Sequence, residues 1–82
     1  MLSDIRLKTN LILLCIISGI KVYRFDYING AKNQIGVIAQ EIKDITPNAV
    51  TMTEDGYYMV NYSMLPANVQ NEIYNRKAGK AA

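Results

Sequence analysis

Leu11-Ile12-Leu13-Leu14-Cys15-Ile16-Ile17-Ser18-Gly19-Ile20-Lys21-Val22-Tyr23-Arg24-Phe25-Asp26-Tyr27-Ile28 is the stretch on which the fold turns. Two runs rich in β-branched and aromatic residues flank a Ser-Gly pair, and that pattern reads as an antiparallel hairpin. In the second run Tyr23, Phe25 and Tyr27 share one face while Val22, Arg24 and Asp26 share the other, as the two-residue strand period requires. The aromatic face is expected to be buried.

Downstream, Asn29-Gly30-Ala31-Lys32-Asn33 reads as a turn, and residues 34 to 39 as a short apolar strand leading into a helix over 40 to 45. Ile38, Ile42 and Ile45 recur there at helical spacing. Thr46-Pro47 stops the helix, because the residue before proline is pushed out of the α region. Val50 opens another strand. Thr51 to Thr53 and Tyr57 to Tyr62 then flank Glu54-Asp55-Gly56 as a second hairpin. Ser63 is expected to cap a last helix over about 63–77 carrying Leu65, Val69 and Ile73, with Gly79 marking its end and a frayed tail in 78–82. Upstream, Ser3 caps a brief helical turn in which Asp4 suits the N-terminal dipole. The expected fold is α+β, with small antiparallel hairpins, short helices and a C-terminal helix, in a single domain over residues 1–82.

Half of the 82 residues are hydrophobic and a fifth are charged. A chain this short buries only about 60% of the surface its unfolded form exposes. Its own core is therefore expected to be marginal and to be completed by copies of itself. Nine basic and seven acidic residues leave a charge of +2. The basic positions form no run, which argues against a phosphate-binding stripe, so nucleic acid is not an expected partner. With one cysteine, Cys15, and no histidine, neither a disulfide framework nor a zinc site is expected, and no cofactor is implied. The seven apolar residues from Leu11 to Ile17 fall far short of the roughly 20 that span a bilayer as a helix. Arg6 and Lys8 precede this run as in a secretory signal, yet Cys15 to Gly19 matches a cleavage site poorly. No membrane association is expected.

Three blocks carry a resemblance. The first is Ser3-Asp4-Ile5-Arg6-Leu7-Lys8-Thr9-Asn10; the second is Gly36-Val37-Ile38-Ala39-Gln40-Glu41 with Pro47 and Val50 following; the third is Val60-Asn61-Tyr62-Ser63-Met64-Leu65. Together, in this order, they resemble the endosialidase-type intramolecular chaperones of phage tail fibres and tailspikes, which are also auto-processing peptidases. The resemblance runs from Ser3 to about Ile73. It implies a homotrimer that guides the folding of an upstream fibre or spike polypeptide of the same precursor and then releases itself by cutting between Leu2 and Ser3. It implies the host cytoplasm as the place of assembly, with the product virion-associated or released. It also implies a processing motif at 3–10 and motif positions at Gly36, Gln40, Glu41, Pro47, Tyr62 and Leu65. Relatives also occur in membrane-anchored eukaryotic transcription factors. Two features depart from the family pattern: the segment from Leu11 to Gly19 is compact where many members carry a longer polar helix, and only Met1 and Leu2 precede Ser3, so the fibre is expected outside this chain.

The resemblance assigns the cut to a Ser3/Lys8 pair. A serine hydroxyl is a weak nucleophile until a base takes its proton, and in a chain without histidine lysine is the usual substitute. The amine must be neutral to act, against a reference pKa of about 10.4. Burial lowers that value, Arg6 is expected to push the same way, and the burial itself is expected only once three chains close around the site. Ser3 then attacks the Leu2 carbonyl and passes through an ester that water opens. Asp4, Arg6 and Asn10 are candidate supports for the peptide or its oxyanion. On residue type and spacing alone, Ser3 is a helix cap, Lys8 a solvated cation, and Asp4, Arg6 and Asn10 local hydrogen-bonding residues. Gln40 and Glu41 read as a solvated helix face, with pairing across subunits as the alternative, and the tyrosines as core or intersubunit packing. Gly36 reads as a point of close backbone approach. A non-cleaving trimerisation module and a transcription-associated nucleic-acid domain are the alternative functions.

Overall fold

A computed structural model of the chain describes residues 1–79, so the tail read at 80–82 lies outside the described residues. The expected α+β class with antiparallel pairing holds. Strand β1 (Lys8–Ile17) and strand β2 (Ile20–Tyr27) form the hairpin around Ser18 and Gly19, whose φ angles of 52° and 74° are those of a type I′ turn. Strand β3 (Gln34–Gly36) pairs with β2 on its other side, giving a three-stranded sheet in the order β1-β2-β3. Helix α1 (Ala39–Ile45) follows, then a 3-10 turn at Pro47–Ala49. Strands β4 (Val50–Met52) and β5 (Tyr58–Val60) form the second hairpin, and after a 3-10 turn at Tyr62–Met64 the chain ends in helix α2 (Ala67–Lys77).

The first hairpin does not keep one register. Near the turn, Ile17 faces Ile20 and Cys15 faces Val22, while at the far end Lys8 faces Tyr27. Irregularities between Leu13 and Cys15 and between Thr9 and Ile12 each insert one residue into β1. The second contains Asn10, at a φ of 54°, a left-handed conformation that asparagine tolerates better than most residues.

The chain before β1 belongs to the second sheet. Leu2 bridges Met59 in antiparallel fashion, with the Ser3 amide donating to the Tyr58 carbonyl at 3.1 Å and the Val60 amide to the Met1 carbonyl at 2.9 Å. A 3-10 turn at Ile5–Leu7 then carries the chain across to the larger sheet. Asp4, not Ser3, caps that turn by accepting from the Arg6 amide.

The core gathers Ile20, Val22, Ile35, Val37, Ala39 and Ile42 with Ala49, Val60, Leu65, Val69 and Ile73. An accessible surface of 4925 Å² is close to the ~4900 Å² that size scaling gives a folded monomer of this mass. A single chain is thus as compact as a folded monomer of this mass, while Ile12, Leu13 and Ile16 remain exposed on it. Burial along β2 also differs from simple alternation. Ile20 and Val22 are buried on one face and Phe25 on the other, while Tyr23 and Tyr27 are half-buried. The aromatic face is thus covered fully only at Phe25, because each face of the strand is covered over part of its length.

Other local expectations shift. Residues 37 to 39 leave the strand after Gly36, and Ile45 is half-exposed at the end of α1 while Ile38 and Ile42 are buried. The last helix begins at Ala67 behind Pro66, because Ser63 lies in the preceding 3-10 turn, where Asn61 is the capping side chain. Leu65 is buried just ahead of the helix, not on it.

Candidate functional site

Both Ser3 and Lys8 are buried, and a single chain is enough to bury them. Ser3 is extended along β5, and its carbonyl accepts from the Ala39 amide at 2.7 Å. The Lys8 ammonium, on a residue 5% exposed, donates to that same carbonyl at 3.0 Å and to the Val37 carbonyl at 2.6 Å. It also stands 4.4 Å from the centre of the Phe25 ring, a cation–π arrangement. Burial pushes the Lys8 pKa down to about 8, and the carboxylates of Asp4 and Glu41 act weakly in the opposite sense. Arg6 is not among the causes, and no second chain is needed, so both expectations about how Lys8 is tuned are corrected.

The Ser3 hydroxyl donates to the Met1 carbonyl at 3.2 Å and lies 3.5 Å from the Tyr62 hydroxyl. Either hydroxyl can donate in the second contact. The Tyr62 oxygen in turn accepts from the Val37 amide at 3.1 Å. Lys8 thus meets Ser3 through its carbonyl oxygen, and the hydroxyl is held by Met1 and Tyr62. Gly36 lies beneath this arrangement: a Cβ there would run into the Tyr62 hydroxyl and touch the edge of Phe25. The close approach read from the sequence is real, and its partner is Tyr62.

Asp4 is fully buried beside Ser3 and accepts five hydrogen bonds. The Arg6 amide, the Arg6 Nε and the Gln40 amide group reach Oδ1 at 2.9, 3.0 and 2.8 Å, and the Arg6 guanidinium and the Tyr58 amide reach Oδ2 at 2.8 and 3.0 Å. Arg6 above all holds this carboxyl well below the usual carboxylate range, with the other donors adding to it against the cost of burial. The guanidinium itself remains exposed, donates to the Gly56 carbonyl at 2.7 Å and lies over the Tyr57 ring. Gln40 accepts from the Ile5 amide at 2.9 Å while donating to Asp4, so it locks the turn between Ser3 and Lys8. It is not a solvated helix residue. Neither is Glu41, whose carboxylate accepts from the Tyr23 hydroxyl at 2.9 and 3.1 Å.

Asn10 is corrected as well. Its amide donates to Asp26 across the hairpin at 3.0 Å. Pro47 opens a 3-10 turn and Leu65 fills the core, both as structural positions. Tyr27 is the residue that sequence reasoning missed. Its hydroxyl donates to the Leu2 carbonyl at 2.6 Å, at the bond that the resemblance marks for cutting. The signal lay in the alternation that puts Tyr27 on the Phe25 face, but the partner depends on register.

The model of the family described as chaperone of endosialidase, Peptidase_S74, matches residues 3–51, more than half of the chain. The matched segment contains Ser3, Asp4, Lys8, Tyr27, Gly36 and Gln40, while Tyr62 and α2 lie beyond it. Comparison with curated proteins and with solved structures gives no match.

Proposed function

The chain belongs to the chaperone-of-endosialidase family, and from that premise we propose that it is an intramolecular chaperone that trimerises, guides the folding of a fibre or spike polypeptide joined to its N-terminus, and then cuts itself free between Leu2 and Ser3. A trimer of such modules holds three chain ends close together, which raises their effective concentration so that an intertwined fibre can nucleate. The apolar side chains that β1 leaves exposed, Leu11, Ile12, Leu13 and Ile16, support self-association.

The observation that carries the processing half is the burial of Lys8 against Ser3. Lowering a lysine from 10.5 to about 8 raises its neutral fraction near pH 7 by roughly 300-fold, since 2.5 pH units is a factor of 10^2.5. In the proposed reaction the Ser3 oxygen attacks the Leu2 carbonyl carbon and gives its proton to the neutral Lys8 amine. The tetrahedral intermediate collapses by expelling the Ser3 nitrogen, which takes a proton back, and leaves Leu2 esterified to the Ser3 oxygen. Water opens the ester, releasing the Leu2 carboxylate and restoring the hydroxyl. For the first transfer Lys8 moves from the Ser3 carbonyl to the hydroxyl of the same residue, an adjustment in keeping with the looser hydrogen bonds of resting catalytic sites.

The hydrogen bond of the Ser3 hydroxyl to Met1 favours a second reading, a trimerisation module that stays attached. One experiment separates the two. A fusion carrying an upstream fibre segment gives two bands on a denaturing gel under the first reading, and one band after Ser3→Ala or Lys8→Ala. A single band from the unaltered fusion supports the attached module and overturns self-processing, whereas normal splitting after Lys8→Ala removes Lys8 as the base.

A further inference from the structure

We propose that the Tyr27 hydroxyl is the oxyanion donor of the cut at Leu2–Ser3, a role that rests on the self-processing reading above. The Leu2 carbonyl is free to receive it because of how the N-terminal segment pairs. In an antiparallel ladder, residues alternate between pairs that exchange both backbone hydrogen bonds and pairs that exchange none. Leu2 and Met59 form a pair of the second kind, since the flanking bonds run from the Ser3 amide to Tyr58 and from the Val60 amide to Met1. The Leu2 carbonyl therefore points away from β5. The Tyr27 Oη fills its acceptor at 2.6 Å.

Tyr27 is well held for this task. It stands across the β1–β2 ladder from Lys8, and its ring packs edge-on against Phe25, with centroids 5.1 Å apart at 90°. The same Phe25 ring underlies the Lys8 ammonium. One strand face thus supports both the group set against Ser3 and the group set against the Leu2 oxygen. Burial pushes the Tyr27 phenol up, so it remains protonated and able to donate when Lys8 has lost its proton. When Ser3 attacks, the carbonyl π electrons move onto the Leu2 oxygen, and a donor already aimed there stabilises the developing charge without reorganising. Collapse returns the electrons to the carbonyl as the Ser3 nitrogen leaves. Tyr27 keeps its proton throughout.

The test uses the upstream fusion with Tyr27→Phe, which preserves the ring and its contact with Phe25. Loss of one oxyanion donor is expected to slow the split by on the order of 100- to 1000-fold. In the uncut Ser3→Ala chain, labelling of leucine carbonyl carbon and alanine nitrogen isolates the bond after Leu2, and Tyr27→Phe is expected to move that carbonyl resonance upfield as its hydrogen bond is lost. A tyrosine fluorinated on its ring, placed at position 27, keeps shape and packing but ionises at lower pH. It is expected to bring the high-pH loss of cleavage to lower pH. A fusion that splits normally but slows less than about threefold on Tyr27→Phe, or a pH profile indifferent to the fluorinated ring, overturns the role of Tyr27 alone. A fusion that never splits overturns self-processing, and the oxyanion role with it.

Discussion

Lys8 stands directly opposite Tyr27 across the β1–β2 ladder. The turn alone sets a different partner. Near Ser18 and Gly19 the numbers of paired residues sum to 37, as for Ile17 and Ile20, whereas Lys8 and Tyr27 sum to 35. Continued unbroken, the first register would face Lys8 with Asn29, and the two inserted residues of β1 bring it to Tyr27. The ammonium consequently lies on the Phe25 ring and reaches Ser3.

The stability of the chain should rise between pH 7 and 9.5. Lys8 has a folded pKa of about 8, below its ordinary 10.5, so over this window the unfolded chain binds more protons and stability increases with pH. The gain comes to about 2 kcal/mol, read as the shift of a urea midpoint. Tyr23, Tyr27 and Tyr62 have raised phenol values, whose stabilisation is lost only above pH 10, so they leave this window alone. Lys8→Met should flatten the slope, and an unchanged slope would mean that Lys8 is solvated.

Asp4→Asn should destabilise the chain by about 2 kcal/mol or more, because the new amide nitrogen turns toward donors that need an acceptor. The Tyr58 amide and the Arg6 guanidinium then lose their partner. Since the Asp4 pKa is lowered on folding, its contribution is present above pH 4 and fades in acid. The gap between the thermal melts of the two proteins should therefore be smaller at pH 3 than at pH 6.

Gly36→Ala should cost roughly 1–3 kcal/mol through overpacking, because the added methyl meets the Tyr62 hydroxyl. If Tyr62 moves aside, Ser3 loses a neighbour. Gly36→Ala combined with Tyr62→Phe should recover part of the loss. Additive costs in such a double-mutant cycle would show that the two positions do not touch.

On the proposed trimer, Ile12→Glu with Ile16→Glu should reduce the sedimenting mass to that of a monomer while leaving the circular dichroism unchanged. These side chains are 55% and 58% exposed and face Arg24 and Lys21 across the ladder, so a glutamate at each position meets a cation and the substitutions act on association. A variant that sediments as the parent does would place the self-association surface elsewhere.

What can be read locally was legible. Ser18-Gly19 marked a two-residue turn, Glu54-Asp55-Gly56 the second hairpin, Thr46-Pro47 the end of α1 and Gly79 the end of α2, because each signal is a backbone preference held within a few residues. The opening motif likewise drew attention to Ser3, Asp4, Arg6 and Lys8. The helix cap at Ser63 failed because Pro66 begins the helix later and Asn61 takes the capping part. Gln40 was misread as solvated because its partners, Asp4 and Ile5, lie 36 and 35 residues away.

The sequence by itself determined where the chain turns, which segments are strands or helices, and which family motif it bears. Only the tertiary structure decided that one chain suffices to bury Lys8, that this lysine grips the Ser3 carbonyl, and that Tyr27 holds the oxygen of Leu2. Turn chemistry acts over a few neighbouring dihedrals, whereas these contacts need the summed offset of two bulges and the pairing of Leu2 with Met59, fifty-seven positions along the chain. Small register changes far from the site move whole side chains between faces, and no short window of sequence contains that sum.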